Sequence, residues 1–186
     1  MGKDALRAAA LARRRAMSAD DRAQSAEAIA AHLLAQPIVA RASRVAVYVS
    51  MPSEPGTAPT IAGLLDRGID VIAPISLDGA ELDWVAFSSE AAHVTTALGI
   101  TEPEGERLGS GALASADFVI VPALAVDVSG NRLGRGAGYY DRALICATAP
   151  LCALLFAGEI VDALPHEEHD VPMNMAVTPT GVFRVL

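Results

Sequence analysis

Short, continuously apolar runs recur along the chain, separated by longer segments with helical spacing. The segments Arg44-Val45-Ala46-Val47-Tyr48-Val49-Ser50, Asp70-Val71-Ile72-Ala73-Pro74-Ile75, residues 117–122 and Leu151 to Phe156 are of this kind. Such runs are the pattern of strands buried on both faces. Residues 81–87 alternate instead and predict a more exposed strand, and residues 176–185 predict a terminal hairpin around Thr180-Gly181. Between them lie predicted helices over 3–17, from the Ser18-Ala19-Asp20-Asp21 cap to about Gln36, over 58–66 and over 139–147. Apolar strands alternating with helices imply an α/β sandwich with a largely parallel central sheet. In such folds ligands bind beyond the strand C-termini. Loops 51–56, 129–138 and 158–170 each follow a buried strand, so they are expected to meet at one rim.

Composition narrows the picture. A chain of 186 residues with 52% apolar and 19% charged residues is globular and long enough for a sizeable core, and the expectation is a single domain over 1–186. The longest apolar stretch, Ala143 to Ala157, is broken by Thr148-Ala149-Pro150, so no membrane span is expected. No charged start followed by an apolar core opens the chain, which points to a cytoplasmic protein. Cys146 and Cys152 sit in apolar stretches and read as buried free thiols of a reducing compartment. The net charge is −8, yet residues 1–17 hold Lys3 and four arginines against Asp4 alone. The acidic remainder argues against nucleic-acid binding.

Candidate chemistry concentrates in Gly130-Asn131-Arg132-Leu133-Gly134-Arg135-Gly136-Ala137-Gly138-Tyr139-Tyr140-Asp141-Arg142. Glycines bring backbone N–H groups close to a ligand, and arginines add forked donors suited to phosphate. The order strand, glycine loop, helix start therefore reads as a phosphate cradle, with a purely structural turn as the alternative. The loop lacks Gly-Lys-[Ser/Thr], and its Gly134-x-Gly136-x-Gly138 spacing is not the dinucleotide G-x-G-x-x-G. Asp141 falls in the first helical turn, where it complements the helix dipole or serves Mg²⁺ beside bound phosphates. Asp170, in Pro165-His166-Glu167-Glu168-His169-Asp170, is a candidate second carboxylate on that metal. His166 and His169 alone make a poor zinc site. Lys3, the chain's only lysine, shares a helix face with Arg7, so this face is a candidate for delivering two cations to a triphosphate. Glu54 follows a buried strand, where it is either solvated or an acceptor for the N–H edge of a pterin-like ring.

The glycine segment from Asn131 to Asp141 resembles the signature of 5-formyltetrahydrofolate cyclo-ligases, also called methenyltetrahydrofolate synthetases. Further matches follow in order along nearly the whole chain: Lys3-x-x-Leu6-Arg7, Ser50-Met51-Pro52-Ser53-Glu54 with Thr57, Gly99-Ile100-Thr101-Glu102-Pro103, and His169-Asp170. The resemblance implies a three-layer α/β/α Rossmann-like sandwich. It implies ATP- and Mg²⁺-dependent conversion of 5-formyltetrahydrofolate to 5,10-methenyltetrahydrofolate by a monomeric enzyme without nucleic-acid or membrane partners. Carried over by position, Lys3, Arg7, Arg132, Leu133, Gly134, Arg135, Gly136, Ala137, Gly138, Tyr139 and Tyr140 would bind ATP, with helix 3–17 packed on or closing over the nucleotide. Val49, Glu54 and the stretch Arg135 to Tyr139 would contact the folate. Arg135 and Tyr139 would serve catalysis, and Asp141 and Asp170 would serve Mg²⁺. Ala137 stands where relatives often carry Lys or Gly, and Asn174 where some carry an acid. Those departures leave two other classes to weigh: a non-catalytic nucleotide- or folate-binding regulator on the same scaffold, and a sugar-phosphate isomerase or CoA-transferase-like enzyme of similar architecture.

Overall fold

The structure is a computed structural model and describes residues 2–90, 92–95, 101–167 and 170–185, without the side chain of Thr101. The chain opens with α1 (Lys3–Ala16) and α2 (Ala19–Leu34). Ser18 separates them, its Oγ accepting the Asp21 N–H at 3.0 Å as an N-cap. Next come α3 (Pro37–Ala40), β1 (Arg44–Val47), α4 (Ala58–Leu65), β2 (Asp70–Leu77), β3 (Glu81–Ala86), β4 (His93–Thr95) and β5 (Thr101–Pro103). The second half holds β6 (Phe118–Pro122), β7 (Ala125–Asp127), β8 (Arg132–Leu133), α5 (Tyr139–Ala143), β9 (Leu151–Leu154), β10 (Ile160–Val161), β11 (Met175–Thr178) and β12 (Gly181–Arg184).

Seven strands form the main sheet in the order β12-β11-β9-β6-β1-β2-β3. The five inner strands run parallel, and β3 and β12 are antiparallel edges. The period-2 pleat sends alternate residues to opposite layers. Val45, Val47, Phe118, Ile120, Cys152 and Leu154 pack against Ile29, Leu33, Ile61 and Leu64 of α2 and α4. Ala46, Val119, Val121, Leu151 and Ala153 face Leu113, Leu144 and Trp84 on the other side. Both faces are thus covered, as a three-layer α/β/α sandwich with a mostly parallel sheet requires.

Several local expectations change. The strand at 81–86 is buried rather than exposed, from Leu82 to Val85. The polar, turn-rich stretch after β5 covers it: Leu108 N–H donates to the Trp84 carbonyl at 2.8 Å, Val85 bridges Arg107, and the 3₁₀ segment Ser110–Ser115 packs against the strand. The helix expected over 139–147 stops at Ala143 and passes into a 3₁₀ turn, Leu144–Cys146. Cys146 in that turn is exposed, so only Cys152 is the buried thiol that the apolar context of both cysteines foretold. A small sheet of order β10-β7-β8 was not expected at all. It carries the glycine loop, and α1 lies on it through Leu6, Ala10 and Leu11 against Leu124, Ala125, Leu133 and Leu164. Among the described residues no helix is long and apolar enough to cross a membrane.

Candidate active site

Beyond the C-terminal ends of β1, β2 and β6 lies a cavity of about 200 Å³. Two of the three loops expected at one rim line it, 51–56 and 129–138, and none of the described residues of 158–170 does. Val49, Glu54, Arg132, Gly134, Arg135, Gly136, Ala137, Gly138, Tyr139, Tyr140 and Asp141 all line it. Leu133 does not: it is buried in the small core beneath α1. Lys3, Arg7 and Asp170 do not line it either.

The glycine loop is shaped from behind by Asp127. Its buried carboxylate accepts the backbone N–H groups of Ser129, Asn131 and Leu164 and the Asn131 side-chain amide, each at 2.9 Å. Burial opposes its charge, but these donors outweigh burial and hold its pKa below the ordinary carboxylate value. The chain then turns sharply. Gly136 has φ +97°, and a Cβ there would sit 3.2 Å from the Arg7 guanidinium. Gly138 has φ +81° and precedes α5, whose first N–H groups are met by no capping side chain.

Arg135 leaves the loop to bridge the cavity's two walls. Its Nε donates to Glu54 Oε1 at 3.0 Å and a terminal nitrogen donates to Ser53 Oγ at 2.7 Å. The other Glu54 oxygen accepts the Met51 N–H at 2.9 Å. Reciprocal bonds at 3.1 Å between Ser50 and Thr57, each hydroxyl accepting the other's N–H, close this loop at its base. Arg132 pairs with Asp141, donates to the Pro122 carbonyl at 3.2 Å and lies 6.0 Å from the Tyr140 ring centre. Burial lowers the pKa of Arg132, and the charges of Asp141 and Asp170 work against that shift. The Tyr140 hydroxyl is buried and has no hydrogen-bond partner among the described residues, and burial raises its pKa.

Helix α1 is pinned over the loop. The Arg7 Nε donates to the Gly134 carbonyl at 3.0 Å. Lys3 pairs with Glu167 at 3.3 Å and Asp170 at 3.2 Å. Burial alone would lower the Lys3 pKa, but those two carboxylates raise it. Deeper in, Arg14 is 1% exposed and makes two bonds to Glu159, at 2.8 and 2.7 Å, plus one to the Ala123 carbonyl at 2.6 Å. In the sequence Arg14 is one of the four arginines of the basic segment 1–17. Its position continues the Leu6, Ala10 stripe at four-residue spacing, which is the signal for burial. Asp127, with Ser129-Gly130-Asn131 after it, carried a turn signal that the glycine motif overshadowed.

A model of the 5-formyltetrahydrofolate cyclo-ligase family matches residues 1–179. The chain belongs to that family. A cyclo-ligase of Mycolicibacterium smegmatis is 38% identical over 184 residues, covering 95% of this chain and 93% of the relative. One from Escherichia coli K12 is 31% identical, with 92% and 97% covered. Among solved structures, the 5,10-methenyltetrahydrofolate synthetase of Aquifex aeolicus superposes with a TM-score of 0.85 at 31% identity, covering 100% of this chain and 93% of the other. That of Mycoplasma pneumoniae, at 21% identity and a TM-score of 0.77, shares the fold.

The family's remaining motifs fall as follows. His169, Gly99 and Ile100 lie outside the described residues. Glu102, in the same motif as Gly99, lines the cavity. Asn174 belongs to the sheet: its Oδ1 accepts the Leu151 N–H at 2.8 Å. Among the described residues no three His, Cys, Asp or Glu side chains gather as metal ligands. Asp141 and Asp170 nevertheless both act on the charge of Arg132. Carboxylates suit Mg²⁺, which takes one or two protein oxygens and completes its shell with water and phosphate.

Proposed function

We propose that this protein is an ATP- and Mg²⁺-dependent ligase that converts 5-formyltetrahydrofolate to 5,10-methenyltetrahydrofolate, releasing ADP and phosphate. Its family membership supports the substrate class. The observation that carries the reading is the Arg135–Glu54 pair, which joins the glycine loop to the loop after β1 across one cavity. A cavity of about 200 Å³ is smaller than usual whole-ligand pockets. It suits the meeting of two reacting ends.

A formamide oxygen is a poor leaving group. In the proposed reaction that oxygen attacks the γ-phosphorus and ADP leaves. N10 then attacks the activated formyl carbon, loses its proton as the ring closes, and the former formyl oxygen departs within phosphate. The protein's part is alignment and charge stabilisation. The glycine-loop N–H groups and Arg132 hold the phosphates, with Lys3 and Arg7 reaching over from α1. Arg135 is placed to move from Glu54 onto the transferring phosphoryl group. Tyr139 positions the reacting ends, and Val49 and Glu54 hold the folate. Asp141 and Asp170 would hold Mg²⁺, which offsets phosphate charge when bound. No covalent nucleophile is needed, and burial pushes the Cys152 thiol well up, away from thiolate chemistry. The protein acts as a cytoplasmic monomer on a small molecule.

Mixing the protein with 5-formyltetrahydrofolate and Mg-ATP should produce the methenyl chromophore in step with ADP. Folded protein that binds both compounds and forms no product would overturn the assignment.

A further inference from the structure

Helix α5 carries a cation that the chemistry above does not use. Arg142 donates its backbone N–H to the Gly138 carbonyl at 3.3 Å, one turn above the glycine that opens the helix. Helical side chains lean toward the helix N-terminus. The Arg142 guanidinium accordingly lies back over Gly138, where a Cβ would be 3.3 Å from one of its terminal nitrogens. The same nitrogen donates to the Ala80 carbonyl at 3.2 Å. Ala80 belongs to the turn between β2 and β3. Among the described residues it alone has a positive φ, +59°, without being glycine, and such a backbone persists only where its surroundings hold it. Gly138 lines the cavity, and so do Ser76 and Leu82 on either side of the turn. Arg142 thus joins the end of the glycine loop to the β2–β3 turn at the cavity's edge.

Charge sets this residue apart. Lys3, Arg7, Arg14, Arg132 and Arg135 each meet a carboxylate. Arg142 is exposed, and among the described residues no carboxylate pairs with it. Asp78 and Glu81, exposed in and beside the same turn, are not exceptions. A guanidinium only donates, through five N–H groups. Ala80 engages one terminal nitrogen, which leaves Nε and the other terminal nitrogen as a fork for a carboxylate.

We propose that Arg142 is a specificity-determining residue that receives the glutamate carboxylates of the folate substrate at the mouth of the cavity. The inference rests on the cyclo-ligase reading and deepens it. A cavity of about 200 Å³ takes the reacting ends alone, so the p-aminobenzoyl-glutamate half of a folate lies outside it. That half ends in two carboxylates. The phosphates of ATP have Arg132, Lys3 and Arg7 in the proposed reaction, whereas the tail has no other assigned cation. Asp78 and Glu81 would repel a tail that strayed along the turn, which sharpens the choice of Arg142.

The test pairs two ligands with two variants. Each protein is assayed with 5-formyltetrahydrofolate and with its analogue in which both glutamate carboxylates are amides, equal in size and uncharged. Wild type should prefer the parent in KM by about 5-fold at low salt, the upper range for an exposed charge pair. The preference should shrink as salt is raised. In Arg142→Gln it should fall to near unity, with the KM for ATP at its wild-type value. Arg142→Lys keeps the charge without the fork and should keep part of the preference. Equilibrium titration of each ligand without ATP should repeat the pattern. A loosened turn would weaken both ligands alike, so a preference retained in Arg142→Gln would overturn the proposal and leave Arg142 as an anchor of the turn only. A raised KM for ATP with the preference intact would also overturn it and assign the residue to phosphate. Wild type that never forms methenyl product would instead defeat the enzyme assignment, a separate outcome.

Discussion

Arg135 and Glu54, 81 residues apart in the chain, form a 3.0 Å hydrogen-bonded ion pair across the cavity. One partner belongs to the glycine loop proposed to hold phosphate and the other to the loop proposed to hold folate. The pair therefore links the two half-sites and must loosen if Arg135 is to serve the transferring phosphoryl group. Arg135→Ala should lower kcat by about 100-fold or more, the usual effect of losing a charge-stabilising donor. Glu54→Ala should raise the KM for 5-formyltetrahydrofolate with a smaller change in kcat. Because the residues touch, the double variant should be non-additive. Steady-state kinetics of the four proteins checks this, and a normal kcat in Arg135→Ala would remove that residue from the chemistry.

Helix α1 depends on the Arg14–Glu159 pair. Removing one member of a buried ion pair strands the other charge and costs about 3–5 kcal/mol. Arg14→Met should therefore lower the thermal midpoint by about 10 °C, given the usual conversion for a domain of this size. It should also raise the KM for ATP, since Lys3 and Arg7 ride on the same helix. Replacing both partners, as in Arg14→Met with Glu159→Leu, should recover most of the midpoint. Calorimetry of the three variants decides it; a double variant no better than the single would point to the Arg14 bond to the Ala123 carbonyl as the dominant contact.

Much of this arrangement was legible in the sequence where one pattern acted alone. The continuous apolar runs at β1, β2, β6 and β9 could only be strands buried on both faces, and they are. The glycine, arginine and tyrosine spacing located one wall of the cavity, Arg132 and Gly134 to Asp141, with Leu133 turned into the core beneath α1. What escaped reading depends on contacts far apart in the chain. Leu82 to Val85 alternate with acids, yet the strand is buried because residues 106–115 fold over it. Arg14 looked like one of a charged cluster until Glu159 stood beside it. Asp141 has two readings from its place in the helix, a complement to the dipole and a Mg²⁺ ligand, and its pairing with Arg132 is visible only in the fold. The shortened α5 ends where the turn before Pro150 takes over.

Asp127 makes stability fall in acid. Its folded pKa lies below the unfolded value, so its contribution is fully present above the unfolded carboxylate pKa of about 3.9. It is lost as pH falls through the lower folded value. Asp127→Asn should remove part of this slope and cost about 2–3 kcal/mol, because an amide turns a donor toward one of four donors. Urea melts from pH 7 down to 3 should show the variant less stable at neutral pH and converging on wild type in acid. Parallel curves at all pH values would show that Asp127 is not the group involved.

The two thiols should separate cleanly. Cys146 is exposed and Cys152 buried. Iodoacetamide should modify the native protein once, at Cys146, and peptide mapping should find Cys152 alkylated only after unfolding. Activity should survive the single modification.

The contact between Arg14 and Glu159 spans 145 residues. A ribosome delivers the helix 145 residues ahead of its counterion. Leu124, Ala125 and Leu133 can receive the apolar stripe of α1 sooner, but Arg14 lacks its carboxylate until the chain has grown past Glu159. The glycine loop's own scaffold, β10-β7-β8, is incomplete until the same moment, because β10 begins at Ile160. The anchor of α1 and the sheet that carries the glycine loop are therefore completed together, as residues 159–161 emerge.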